Sequence, residues 1–148
     1  MKKFLGILAL GLFWCSSAYS DDIKIKRIEC VYQTTKNKSK NIFFIISDDN
    51  KTAYMHRLSD LLDGSIPRSV KIKMSVNTDL YHITFRGIDS PNSYYEINRE
   101  NGALGARHLN PARIVYRCSK MEDGFDPEKY FSEIVNKMIE SKKRINIF

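Results

Sequence analysis

Three cysteines, three histidines and one tryptophan are among the scarcest residues in a chain of 148, and none of them forms a motif. No cysteine has a C-x-x-C partner. His56, His82 and His108 lie in separate segments with no pair at helical ligand spacing, so the usual metal frameworks are missing. There is no G-x-S-x-G, the strained elbow that exposes a serine nucleophile. No basic run is interleaved with aromatics as nucleic-acid modules require, which speaks against a nucleic-acid partner. Asp48-Asp49-Asn50 lacks the alternating oxygen ligands and distant glutamate of a calcium loop. Past Trp14 no apolar run approaches the ~20 residues of a membrane helix, so no transmembrane span is expected in the mature chain. These absences leave no catalytic residue, cofactor or metal to assign. The expectation is a protein that is not an enzyme.

What is present begins with an export signal. Lys2 and Lys3 precede an apolar run from Phe4 to Trp14, and Ala18-Tyr19-Ser20 puts small residues where a signal peptidase reads. Residues 1–20 are therefore expected to be removed, leaving a mature chain that starts at Asp21. Cys15 follows Trp14 rather than the small residue that bacterial lipidation wants, so it leaves with the leader. Cys30 and Cys118 remain, and an even count in an exported chain implies a disulfide. In the chain-entropy model such a long closed loop is worth roughly 4–5 kcal/mol. The formal charge is +7, which falls to +5 without Lys2 and Lys3, a mild bias toward anionic surfaces or polymers.

Between the cysteines the pattern is that of strands. Ile23 and Ile25 alternate with lysines, then the phase shifts to Ile28, Cys30 and Tyr32, which suggests a β-bulge near Arg27. Ile42 to Ile46 is continuously apolar, as in a strand covered on both faces. Asp48 to Lys51 turns the chain into a short strand from Thr52 to Met55. Arg57 to Arg68 is the least β-like section, with Ser59 able to cap a helical turn through Leu62 that Gly64 ends. Val70, Ile72, Met74 and Val76 alternate with polar residues, as do Tyr81, Ile83 and Phe85. Pro91-Asn92 marks a loop. Asn110-Pro111 breaks the chain before a last strand from Arg113 to Lys120 that carries Tyr116 and Cys118 in the phase of Cys30.

The strongest turn signal is Asn98-Arg99-Glu100-Asn101-Gly102, where Asn101 and Gly102 both tolerate positive φ. Tyr81, Tyr94, Tyr95 and Tyr116 offer apolar bodies with polar tips that suit a ligand surface or a barrel interior. After Cys118 the composition changes. Asp126 is an N-cap and Pro127 a first helical residue. Phe131, Ile134, Val135, Met138 and Ile139 then recur at helical spacing, an apolar stripe that needs a partner surface.

Cys30-Val31-Tyr32, the aromatic strand Phe43 to Asn50, Ile97-Asn98-Arg99-Glu100-Asn101-Gly102 and Tyr116-Arg117-Cys118 together resemble a group of small exported bacterial β proteins. In that group an I-[DN]-R-x-x-G hairpin lies between two bracketing cysteines. The resemblance spans Ile23 to Lys120 and implies an antiparallel meander, with no assigned activity. Lipocalins offer a weaker analogy, an up-and-down barrel followed by a helix, but their G-x-W signature is missing and the only tryptophan lies in the leader.

The expected architecture is mostly β: a meander, small up-and-down barrel or sandwich of seven to eight strands. It would span residues 21–120, with one C-terminal amphipathic helix and tail over 121–148. The expected role is a non-enzymatic periplasmic or envelope binding module of unknown partner. The helix stripe is expected to pack on the β domain, with the groove of an envelope protein or an anionic membrane surface as the alternatives. The alternative is a lipocalin-like carrier of a small apolar ligand.

Overall fold

The computed structural model describes residues 23–34, 37–59, 65–90, 92–106 and 116–145. The leader, the helical turn expected after Ser59, Pro91, His108, the break at Asn110-Pro111 and the first residues of the last expected strand lie outside them. Eight strands follow in order: β1 (Arg27–Tyr32), β2 (Ile42–Ile46), β3 (Thr52–Leu58), β4 (Ser69–Thr78), β5 (His82–Gly87), β6 (Tyr94–Asn98), β7 (Leu104–Ala106) and β8 (Tyr116–Lys120). A 3-10 turn at Lys38–Lys40 precedes β2, and the helix α1 (Pro127–Ile145) ends the chain.

All strand pairs are antiparallel, in the order β7-β6-β5-β4-β3-β2-β1-β8. The two outer strands nearly close the sheet into a barrel. Ala103 and Arg117 form a single bridge there, and the Cys118 N–H donates to the Gly102 carbonyl at 2.7 Å. Near-closure matters because an open strand edge is a template for unwanted pairing. The meander and its seven-to-eight-strand count match the sequence pattern.

Cys30 and Cys118 are opposed in the β1–β8 register and joined by a disulfide across 88 residues of chain. Because the Cys118 backbone N–H points to Gly102, its pair with Cys30 is a non-hydrogen-bonded one, where facing side chains lie closest. Their Cα atoms are 4.0 Å apart.

Alternation fills the interior. Ile28 and Cys30 from β1, Phe44 and Ile46 from β2, Met55 from β3, Met74 from β4, Phe85 from β5, Ile97 from β6 and Leu104 from β7 pack into one core. Phe44 and Phe85 stack with ring centres 4.2 Å apart. The residues between them in sequence face outward. On β2 this puts Phe43 outside, where it is still fully buried because α1 covers it. The two-sided burial expected of Ile42 to Ile46 thus has two causes, the barrel core within and the helix without.

Two expectations need correction. Ile23 to Lys26 is an arm that precedes β1, so the change of phase marks the start of the strand and not a bulge within it. Ile23 is buried while Ile25 is exposed. The strand after the Asp48 turn runs on to Leu58, three residues further than expected. Its alternation continues through Tyr54, His56 and Leu58 on the outer face, where the helix supplies the cover that the charged neighbours concealed in the sequence.

Helix α1 begins as its caps dictate. Asp126 accepts from the N–H groups of Glu128 (2.9 Å) and Lys129 (3.3 Å). Phe131, at 0 % exposure, meets Phe43 edge-on at 5.4 Å between ring centres, beside Leu58 and Met121. Ile134 and Val135 pack on the same cluster. The first half of the apolar stripe therefore serves the protein's own second core. Met138 and Ile139, further along, are half-buried. No helix among the described residues is long and apolar enough to cross a membrane.

Candidate functional site at the barrel mouth

One end of the barrel gathers the expected hairpin, the start of β1, the end of β8 and the Ile23–Lys26 arm. They surround a cleft of about 400 Å³. Its floor is apolar, from Ile28, Ile83, Ile97 and Cys118, and Lys24, Arg99 and Lys120 stand around it. Alternation explains the floor, since each of these residues takes the inward phase of its strand. The rim is basic because the arm, the turn and the end of β8 each contribute a cation there.

The hairpin holds its shape by local bonds. The Asn98 side chain accepts from the N–H groups of Glu100 (2.9 Å) and Asn101 (3.1 Å), and Asn101 in turn accepts from Ala103 N–H at 2.9 Å. The Gly102 N–H reaches back to the Asn98 carbonyl at 2.9 Å. Gly102 has φ +69°, but Asn101 does not take positive φ. The loop spans Arg99 to Gly102, and only its last residue needs the left-handed conformation.

Arg99 donates to the Asp79 carbonyl at 2.8 Å, which ties the hairpin to the β4–β5 turn. Asp79 accepts from the N–H groups of Tyr81 (2.7 Å) and His82 (2.8 Å), and these bonds hold its carboxyl below the usual carboxylate range. Neighbouring turns thus fix the rim, although Arg99, Asp79 and Lys120 are all exposed.

The four candidate tyrosines do not converge. Tyr81 stands at the mouth end, outside the strand and 64 % exposed. Tyr95 and Tyr116 face the core toward the other end; Tyr95 lies edge-on to Phe44 and Tyr116 lies edge-on to Tyr32. Tyr94 donates to Glu96 at 2.7 Å, and that bond holds its phenol above the usual value. The barrel therefore gathers no common tyrosine-lined cavity from them.

Several groups escaped sequence reasoning. Lys24 and Lys120 read as ordinary polar positions, and only closure of the barrel brings them to one cleft. His56, isolated from the other histidines in the sequence, lies buried under the start of α1. Glu29, on the outer face of β1, has its carboxyl pushed up by burial and then by Glu122. Tyr130 sits nearby, with its phenol raised by burial and by Glu29, and it donates to the Lys38 carbonyl at 3.1 Å while accepting from Asn41 at 3.2 Å. Those bonds tie α1 to the loop before β2. Among the described residues no three His, Cys, Asp or Glu side chains come together as a metal site.

No protein-family model, curated protein or solved structure matches this chain.

Proposed function

We propose that this chain is an exported, non-enzymatic binding module that captures an amphipathic anion at the barrel mouth. The observation that carries the reading is the apolar floor of Ile28, Ile83 and Ile97 set beside Lys24, Arg99 and Lys120. An apolar floor rewards an alkyl or aryl group, and three cations favour an acidic head next to it. Export is supported by the leader pattern of residues 1–20 and by the resemblance to small exported bacterial proteins. The Cys30–Cys118 disulfide is consistent with an oxidising compartment.

Carriage of a small apolar ligand inside the barrel is the second reading. The packed interior around Phe44, Met55, Met74 and Phe85, all at 0 % exposure, favours capture at the rim over enclosure. A protein partner on the helix would use Met138 and Ile139, since Phe131 is committed to the protein's own core.

Titrating the oxidised protein with dodecanoate and with dodecanol, followed by backbone amide NMR, tests the mouth. Dodecanoate is expected to shift amides of Ile28, Ile97 and Gly102 saturably and more tightly than dodecanol. The double reversal Lys24→Glu, Lys120→Glu should erase that preference. Equal binding of both ligands, or shifts confined to the helix, would contradict the reading.

A further inference from the structure

The outer face of the barrel carries a second cleft, of about 370 Å³, between β3, β4 and the start of α1. The antiparallel register places Phe43, His56 and Lys71 in one row across β2, β3 and β4. Arg27 and Tyr54 belong to the neighbouring row, one step closer to the barrel mouth. Phe125 and Glu128 close the cleft from above.

His56 is only 2 % exposed, and neither of its ring nitrogens has a hydrogen-bond partner among the described residues. The Arg27 Nε, which lines the same cleft, is also buried without a partner. A buried polar group without a partner costs free energy, so three such nitrogens around one cleft mark a place where something polar sits. Their chemistry restricts what that is. Arg27 offers an N–H, and a neutral imidazole offers one N–H and one acceptor.

The charges restrict it further. Lys71 is paired with Glu128 at 3.1 Å, and Asp126 is occupied with the helix N-terminus. The Arg27 Nη2 donates to the Phe125 carbonyl and toward the Met121 sulfur at 3.6 Å, both neutral groups. Among the described residues these contacts give the guanidinium no direct carboxylate partner, while Asp126 and Glu128 line the same cleft.

We propose that this cleft is a binding site for a small oxyanion, phosphate or carboxylate, seated between the Arg27 Nε–H and the His56 imidazole. The two ring nitrogens point away from each other, so one small oxyanion reaches only one of them: its oxygens accept from the Arg27 Nε–H and from the imidazole N–H, and the other ring nitrogen is left to a separate partner. Burial and, after it, Lys71 hold His56 toward its neutral form, against the opposing pull of Glu128 and Asp126. This site lies on the outer face and is independent of the mouth.

The test is NMR of the histidine imidazoles in the oxidised full-length mature protein. Inorganic phosphate and acetate are added in turn against chloride at matched ionic strength. His82, flanked by Asp79 and Glu96 at 3.7 Å each, is the internal control. Saturable shifts at His56 and not at His82, with the His56 titration moved upward by the bound anion, are expected. Arg27→Gln should weaken the apparent affinity by about tenfold or more, the usual worth of a charge-assisted bond. Arg27→Lys, which keeps the charge and loses Nε–H, should also weaken it, so a folding defect in one variant does not decide the matter. Response to phosphate alone assigns phosphate-bearing ligands, and response to acetate alone assigns carboxylates. Parallel drift of His56 and His82, no response, or binding unchanged in both variants would mean that the cleft holds water only and overturn the proposal.

Discussion

Gly102 and Cys118 meet backbone to backbone where the barrel closes. The Cys118 N–H donates to the Gly102 carbonyl at 2.7 Å, and a Cβ on Gly102 would run into the Cys118 carbonyl oxygen. The same cysteine turns its side chain inward to Cys30. One strand position thus joins the hairpin through its backbone and β1 through its sulfur, while its half-buried side chain packs against the core.

Gly102→Ala should therefore destabilise the protein by about 2–4 kcal/mol, from left-handed backbone strain together with the collision. Gly124 is the control. It also has positive φ, +81°, but open space where a Cβ would go. Gly124→Ala should cost only about 1–2 kcal/mol. Urea unfolding of both variants measures the difference, and equal losses would mean that the approach to Cys118 is slack.

Replacing Cys30 and Cys118 together by serine should lower stability by up to roughly 4–5 kcal/mol, since the bridge closes a loop of 88 residues in the unfolded chain. Cys30 is fully buried and Cys118 is half-buried at the mouth cleft, so reduction of the native protein should proceed through the Cys118 sulfur and should accelerate with denaturant. Thiol trapping at increasing urea follows this directly.

The helix is anchored at one end. Phe131→Ala should cost about 3–5 kcal/mol, whereas Met138→Ala should cost under about 1 kcal/mol. Hydrogen exchange should show the same gradient, with protection falling from the Phe131 turn toward Arg144. Uniform protection along α1 would indicate that something also covers the Met138–Ile139 end.

Acid should weaken the fold through His56. Burial lowers its folded pKa below the ordinary value of 6.5, with Lys71 adding to the effect and Glu128 and Asp126 opposing it. Below 6.5 the unfolded chain therefore binds the proton more readily than the folded one. Stability is fully present above that value and is lost as pH falls through the folded pKa. His56→Gln should remove this component and flatten the stability profile on the acid side. Glu29, whose carboxyl is raised, acts with the opposite sign at lower pH, and it is common to both proteins.

Much of this architecture is legible in short-range patterns. The alternation of Val70 to Val76, the two-sided run Ile42 to Ile46 and the Asp126-Pro127 helix start each follow from local physics. The Cys30–Cys118 pairing follows from parity and phase. The extension of β3 to Leu58 does not, because His56 and Arg57 look like loop residues until α1 is seen to roof the outer face. The basic rim of the mouth is equally hidden. Lys24, Arg99 and Lys120 are far apart in sequence, and only barrel closure brings them together. The placement of the tyrosines is hidden too, because chemical likeness does not fix which face each takes, and register sends Tyr94 and Tyr95 to opposite faces of one strand.

Native mass spectrometry of the mature protein, taken from the exported fraction of its own cells, probes the proposed role most directly. The expected species begins at Asp21, is two hydrogens lighter than the reduced chain and carries an acidic amphiphile released by Lys24→Glu, Lys120→Glu. A chain that keeps residues 1–20 or two thiols would contradict export into an oxidising compartment. A bare protein that also fails to take up dodecanoate would contradict binding at the mouth.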